Sequence, residues 1–144
     1  MSGPNTLMCP SADPDGAGAV VFGLIVGTPE APETAYLEET QAVTPELLAL
    51  ADPVAPADMF RFGARCLRGG CAHWEAERAV CRFGEKTVRL APAVVTVVPT
   101  CALRANCRWW HQEGMAACQR CPQVIRTGAI GHSEVRQAAD PRVA

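Results

Sequence analysis

Lysine is almost missing from this chain. Twelve of its thirteen basic residues are Arg, and residues 1–60 contain neither Lys nor Arg. Aromatic residues are scarce at 6%, with a single Tyr, so the 49% apolar content comes largely from small residues. Such a composition builds only a modest core in 144 residues, which crosslinking by metal would usefully supplement. The longest apolar run, AGAVVFGLIVG over 17–27, is too short and too Gly-interrupted to span a bilayer. The opening MSGPNTLMCPSADPDG has no basic stretch leading into an apolar one, so no export signal is expected. We therefore expect a soluble cytoplasmic protein whose thiols stay reduced, rather than a secreted one with four disulfides.

Common catalytic signatures are also absent. The chain has no G-x-G-x-x-G after a strand, no G-x-x-x-x-G-K-[ST], no H-E-x-x-H and no G-x-S-x-G. These gaps weigh against nucleotide-dependent, zinc-protease and serine-hydrolase chemistry, and no small-molecule pocket is recognisable. The one Cys-x2-Cys, Cys118 to Cys121, lacks the βαβ surroundings of a thioredoxin-like dithiol.

What is present is cysteine. Seven of eight cysteines lie within 66–122, with all three Trp and two of the three His. They form two similar blocks: Cys66-x4-Cys71-x2-Trp74-x6-Cys81, and Cys101-x5-Cys107-x2-Trp110-x7-Cys118 followed by Cys121-Pro122. Thiols in such number and order are read as metal ligands. Zinc knuckles use paired C-x2-C turns, but the other gaps here are four, nine, five and ten residues. Uneven, wide spacing suits a [4Fe–4S] cluster better, because its four irons spread the thiolates apart. The closing Cys-Pro matches the end of the ferredoxin run C-x2-C-x2-C-x3-C-P, but that run's close spacings are missing.

The second block supplies four thiols unaided: Cys101, Cys107, Cys118 and Cys121. Around them Trp109, Trp110 and Met115 are candidates for an apolar shell, and equally for ordinary core. Arg104, Arg108 and Arg120 are candidates for charge neutralisation at the centre, against a plain reading as solvated surface. The first block supplies only Cys66, Cys71 and Cys81. Its fourth ligand is Cys9, then His73 in a three-thiolate zinc site, then an open position, in that order of preference. An unliganded Cys9 and a surface His73 are the competing readings. His111 is placed on a helix surface, and His132 is given no role.

The fold expected is α+β, small and irregular. It combines a short N-terminal β-hairpin with a metal-stapled segment of two similar cysteine/helix clamps. Residues 1–60, with nine acids, form an acidic segment containing the hairpin (20–27 and 34–38) and a short helix over 45–51. That helix is capped by Thr44, with Pro45 at its first position. Residues 61–126 are the metal-binding segment, with a helix over 73–80 in the first block and another over 105–117, around Gly114, in the second. The stretch 87–98 is read as a short strand or a buried connector. Residues 127–144 are read as a flexible tail.

Function follows from the centre. The favoured expectation is a small iron–sulfur protein with one or two [4Fe–4S] clusters, serving electron transfer or acting as a redox accessory subunit to a partner enzyme. The alternatives are a zinc-stapled binding or regulatory module, with the Arg-rich half as its candidate nucleic-acid surface, and an iron–sulfur redox sensor. A protein redox partner is expected, no membrane, and nucleic acid is the less favoured partner.

Overall fold

A computed structural model describes residues 6–28, 30–125 and 133–144. It contains both helices and sheets in a small, irregular α+β arrangement. The hairpin is larger than expected. Strand β2 (Val20–Thr28) pairs with β3 (Ala31–Ala42) from Thr28↔Ala31 to Val20↔Ala42, joined by a short connection instead of a long loop. Helix α1 (Pro45–Ala49) begins as its sequence requires, with Leu47 N–H donating to Thr44 Oγ1 at 3.1 Å. A single helical turn, α2 (Pro56–Met59), then leads directly into strand β4 (Phe60–Arg65).

Strand β4 is the centre of the fold. The sheet order is β1-β4-β2-β3, where β1 (Met8–Cys9) is the N-terminal edge. β4 therefore has neighbours on both sides, and its first five residues are all buried. The sheet crosses the boundary expected at residue 60, so the acidic and cysteine-rich halves share one framework. Val21, Phe60 and Phe62 pack with Leu37, Leu47 and Leu48 under α1 to form one core cluster. At Phe22 the register of β2 slips against both neighbours, from Val21↔Gln41 to Gly23↔Tyr36 and from Val21↔Phe62 to Gly23↔Arg61. Such a bulge re-aims side chains; here it accompanies the turning of Phe22 and Tyr36 toward the second cysteine block.

The first cysteine block is not the expected helix. Residues 73–80 form a tight ribbon, β5 (Trp74–Glu75) against β6 (Val80–Cys81), with Arg82 N–H returning to the His73 carbonyl at 2.7 Å. Ala79 closes the turn at φ 53°, a conformation no helix contains. The helix comes next: α3 (Arg82–Leu90) starts at Cys81, whose sulfur accepts from Gly84 N–H at 3.5 Å. Phe83 and Gly84 lie in its first turn. Gly84 is needed there because a Cβ would stand 2.8 Å from Trp109 Cδ1.

Residues 91–100 are irregular and largely exposed, neither strand nor buried connector. The second block's helix is broken where its glycine sits. α4 (Arg108–Glu113) and α5 (Met115–Cys118) meet at Gly114, φ 67°. The expected flexible tail is described from residue 133 onward, and there it is docked. α6 (Ser133–Ala139) buries Val135 and Ala138 against the core cluster that contains Phe83 and Trp109. Lys86 Nζ on α3 donates to the carbonyls of Asp140 and Val143, each at 2.7 Å. Arg82 and Arg89 add bonds to the carbonyls of Val143 and Ala144. Among the described residues, no helix is long and apolar enough to cross a membrane.

Candidate metal centres

Both blocks use one local device to set two cysteines. In the first, a 3₁₀ turn over Arg68–Gly70 follows Leu67 and closes with Cys71 N–H on the Arg68 carbonyl at 2.8 Å. In the second, Arg104–Asn106 follows Leu103 and closes with Cys107 N–H on the Arg104 carbonyl at 3.0 Å. The shared words are Leu-Arg-x-x-Cys, so the repeat extends beyond cysteine and tryptophan. The one-residue difference in spacing lies before the Leu, where Cys101-Ala102 replaces Cys66 alone. Each block also seats one cysteine at a helix start, Cys81 at α3 and Cys107 at α4.

The eight cysteines, all free thiols, sort by cavity. Cys9, Cys66, Cys71 and Cys81 line one cavity of about 580 Å³. Cys101, Cys107, Cys118 and Cys121 line a second, tight cavity of about 20 Å³. Cys9 is carried to the first group by β1, which pairs with the end of β4 through Cys9↔Ala64, while Cys66 N–H bonds to the Leu7 carbonyl. Among the described residues, no group of three or more His, Cys, Asp or Glu side chains is placed to hold a metal ion.

Backbone amides point at the first quartet's sulfurs: Ser11 N–H to Cys9 and His73 N–H to Cys71, both at 3.4 Å, besides Gly84 to Cys81. The Trp109 indole N–H has no well-aligned acceptor and leans on the Cys81 sulfur, favouring its thiolate. Burial nevertheless dominates, pushing the Cys9 thiol up to about 12 and Cys81 up as well. Without a cation beside them these thiols stay protonated; a bound metal reverses that balance. His73 lines the same cavity, with its ring 4.9 Å from Phe83.

The second quartet receives side-chain donors instead. Arg61, the second residue of β4, is 4% exposed. Its Nη1 donates to Thr34 Oγ1 and the Cys121 carbonyl at 2.8 Å, and its Nη2 to the Pro10 carbonyl at 3.1 Å and Cys121 Sγ at 3.2 Å. Its guanidinium also lies 5.0 Å over the Phe22 ring. Burial works against its charge, but Cys121 and Tyr36 more than offset this, so Arg61 remains a cation. Tyr36 lines the same cavity, and burial, then the Cys121 sulfur, raises its pKa far above the usual range. Arg104 also lines it, and burial raises the Cys118 thiol while the nearby guanidinium opposes that rise. Burial likewise raises Cys101 and Cys107, with the amides of Trp109 and Trp110 aimed at Cys107 from beyond the range of a formed cap.

The other sequence candidates scatter. Trp109 is 1% exposed and lines both cavities. Trp110 lies outside both linings and carries the Arg104 guanidinium 5.5 Å over its ring. Met115 is exposed, so it forms no shell. Arg108 serves the first cavity, not the second, over Trp74 at 5.0 Å. Arg120 binds the carbonyls of Ala91 and Ala116 and lines neither cavity. His111 is exposed against the Ala105 carbonyl; His132 lies outside the described residues. Sequence reasoning missed Arg61 and Tyr36. An Arg between two Phe in an apolar strand was a usable signal for the first, since a buried charge needs partners; for Tyr36 there was none.

Compared with known protein families, curated proteins and solved structures, the chain matches none.

Proposed function

We propose that this chain is a small cytoplasmic iron–sulfur protein holding two [4Fe–4S] clusters, one per cysteine quartet, and passing single electrons to or from a protein partner. The observation that carries the reading is the grouping of the eight cysteines, the remote Cys9 included, into two sets of four around separate cavities. A tetrahedral zinc site with bonds of about 2.3 Å needs sulfurs about 3.8 Å apart. Four thiolates that line a common cavity suit a cluster, in which each sulfur binds its own iron. Amide and guanidinium donors on the sulfurs are the groups that tune cluster potentials. The docked acidic and basic halves offer charge for steering a partner.

Zinc in the second quartet is the competing reading, and the small open volume of that cavity favours it. Metal–thiolate bonds of about 2.3 Å, however, lie well inside van der Waals contact, so a sulfur-lined cavity takes more metal than its open volume indicates. Anaerobic purification followed by iron, zinc and sulfide analysis decides the matter. The expected result is a brown protein with about eight irons and eight sulfides per chain, the content of two [4Fe–4S] clusters. A colourless protein containing zinc overturns the proposal.

A further inference from the structure

The two quartets share a wall. Trp109 lines both cavities, and Cys9 at the end of β1 and Ser11 face the first while Pro10, in the turn that follows the strand, faces the second. Met8 bridges to Cys107, and the Gln112 amide of α4 holds the backbone of Cys81 through two bonds of 2.8 Å. One indole ring and one short N-terminal segment thus border both thiolate sets.

The surroundings of the two sets differ in charge. The second has the buried Arg61 guanidinium on Cys121 Sγ, with Tyr36 and the Arg104 cation lining the same cavity. The first takes backbone amides on its sulfurs, and its wide cavity carries Asp13 and Asp15 as well as Arg65 and Arg108, so its net charge is balanced. Fixed positive charge and side-chain hydrogen bonds on sulfur raise a cluster's potential, whereas solvent and carboxylates do not.

We propose, resting on the two-cluster reading, that the chain is a directional relay in which an electron taken up at the open first cluster crosses the Trp109–Pro10 wall to the second, higher-potential cluster. A one-electron donor reduces the first cluster from its 2+ to its 1+ state. That cluster returns to 2+ as the second becomes 1+; no bond breaks and no proton moves.

The test uses the full chain loaded with iron and sulfide, titrated with dithionite and followed by low-temperature electron paramagnetic resonance. Cys9→Ser and Cys118→Ser assign the two signals. The first electron is expected in the signal that Cys118→Ser removes, and full reduction is expected to show both signals broadened by spin–spin coupling. Arg61→Met should lower the second cluster's potential and leave the first unchanged. Tyr36→Phe, a smaller change that preserves the packing, should shift it the same way by less. A first electron in the other cluster, unbroadened signals, or potentials indifferent to both variants overturn the relay while leaving two clusters in place. Absence of iron and sulfide before any titration instead overturns the underlying cluster reading.

Discussion

Arg61 explains why one charged residue stands between two phenylalanines in the central strand. Its planar fork reaches four acceptors from three segments, Pro10, Thr34 and Cys121, which the compact ammonium of a lysine does not match. Arg61→Met leaves the Pro10 and Cys121 carbonyls buried without a donor and should cost about 3 kcal/mol or more, read from urea unfolding. Gly84→Ala tests the other close approach. Its new Cβ meets Trp109 Cδ1 at 2.8 Å, so the buried indole must shift. We expect a loss of about 1–3 kcal/mol and a lower melting temperature. In the sequence Arg61 was conspicuous but its partners were not, because they lie 27 to 60 residues away.

At the scale of elements, the errors share a cause. Residues 73–80 have helix-forming composition, yet they form a ribbon because Cys71 and Cys81 face one cavity and the chain between them must double back. Tertiary demand overrides propensity in so short a segment. The polar end of the chain lacked an obvious period, but two small apolar residues, Val135 and Ala138, suffice to dock α6 on the core cluster. Ala138 is fully buried, so Ala138→Asp should place an unpaired carboxylate there and release the helix. The expected result is faster proteolysis after residue 125 and a stability loss of about 2–4 kcal/mol. Local signals with a one-turn mechanism were legible: Thr44→Ala should cost about 1 kcal/mol.

For the whole molecule, the two cysteine groups follow the two sequence blocks, and space adds Cys9 to the first. Cys9 lies 57 residues before Cys66 but on the strand beside it, since β1 pairs with the end of β4. On the two-cluster proposal, Cys9→Ser should remove about half of the iron, and Cys118→Ser the other half, measured as iron and sulfide per folded chain. Equal and total loss in either variant would show that the quartets do not load independently. The first block's deficit of one thiol was readable from counting alone. The sharing of Trp109 between cavities was not, because nothing local distinguishes it from Trp110.

Sequence by itself determined the number of thiols, their division into two blocks, the capped helix at Thr44 and the β-branched hairpin. Each depends on neighbours within a turn or on simple counting. Only the tertiary structure decided which cysteines face which cavity, that Arg61 is buried against Cys121, and that β4 joins the acidic and cysteine-rich halves. Those outcomes depend on strand order and on burial, which bring together residues whose separation along the chain carries no record of their contact.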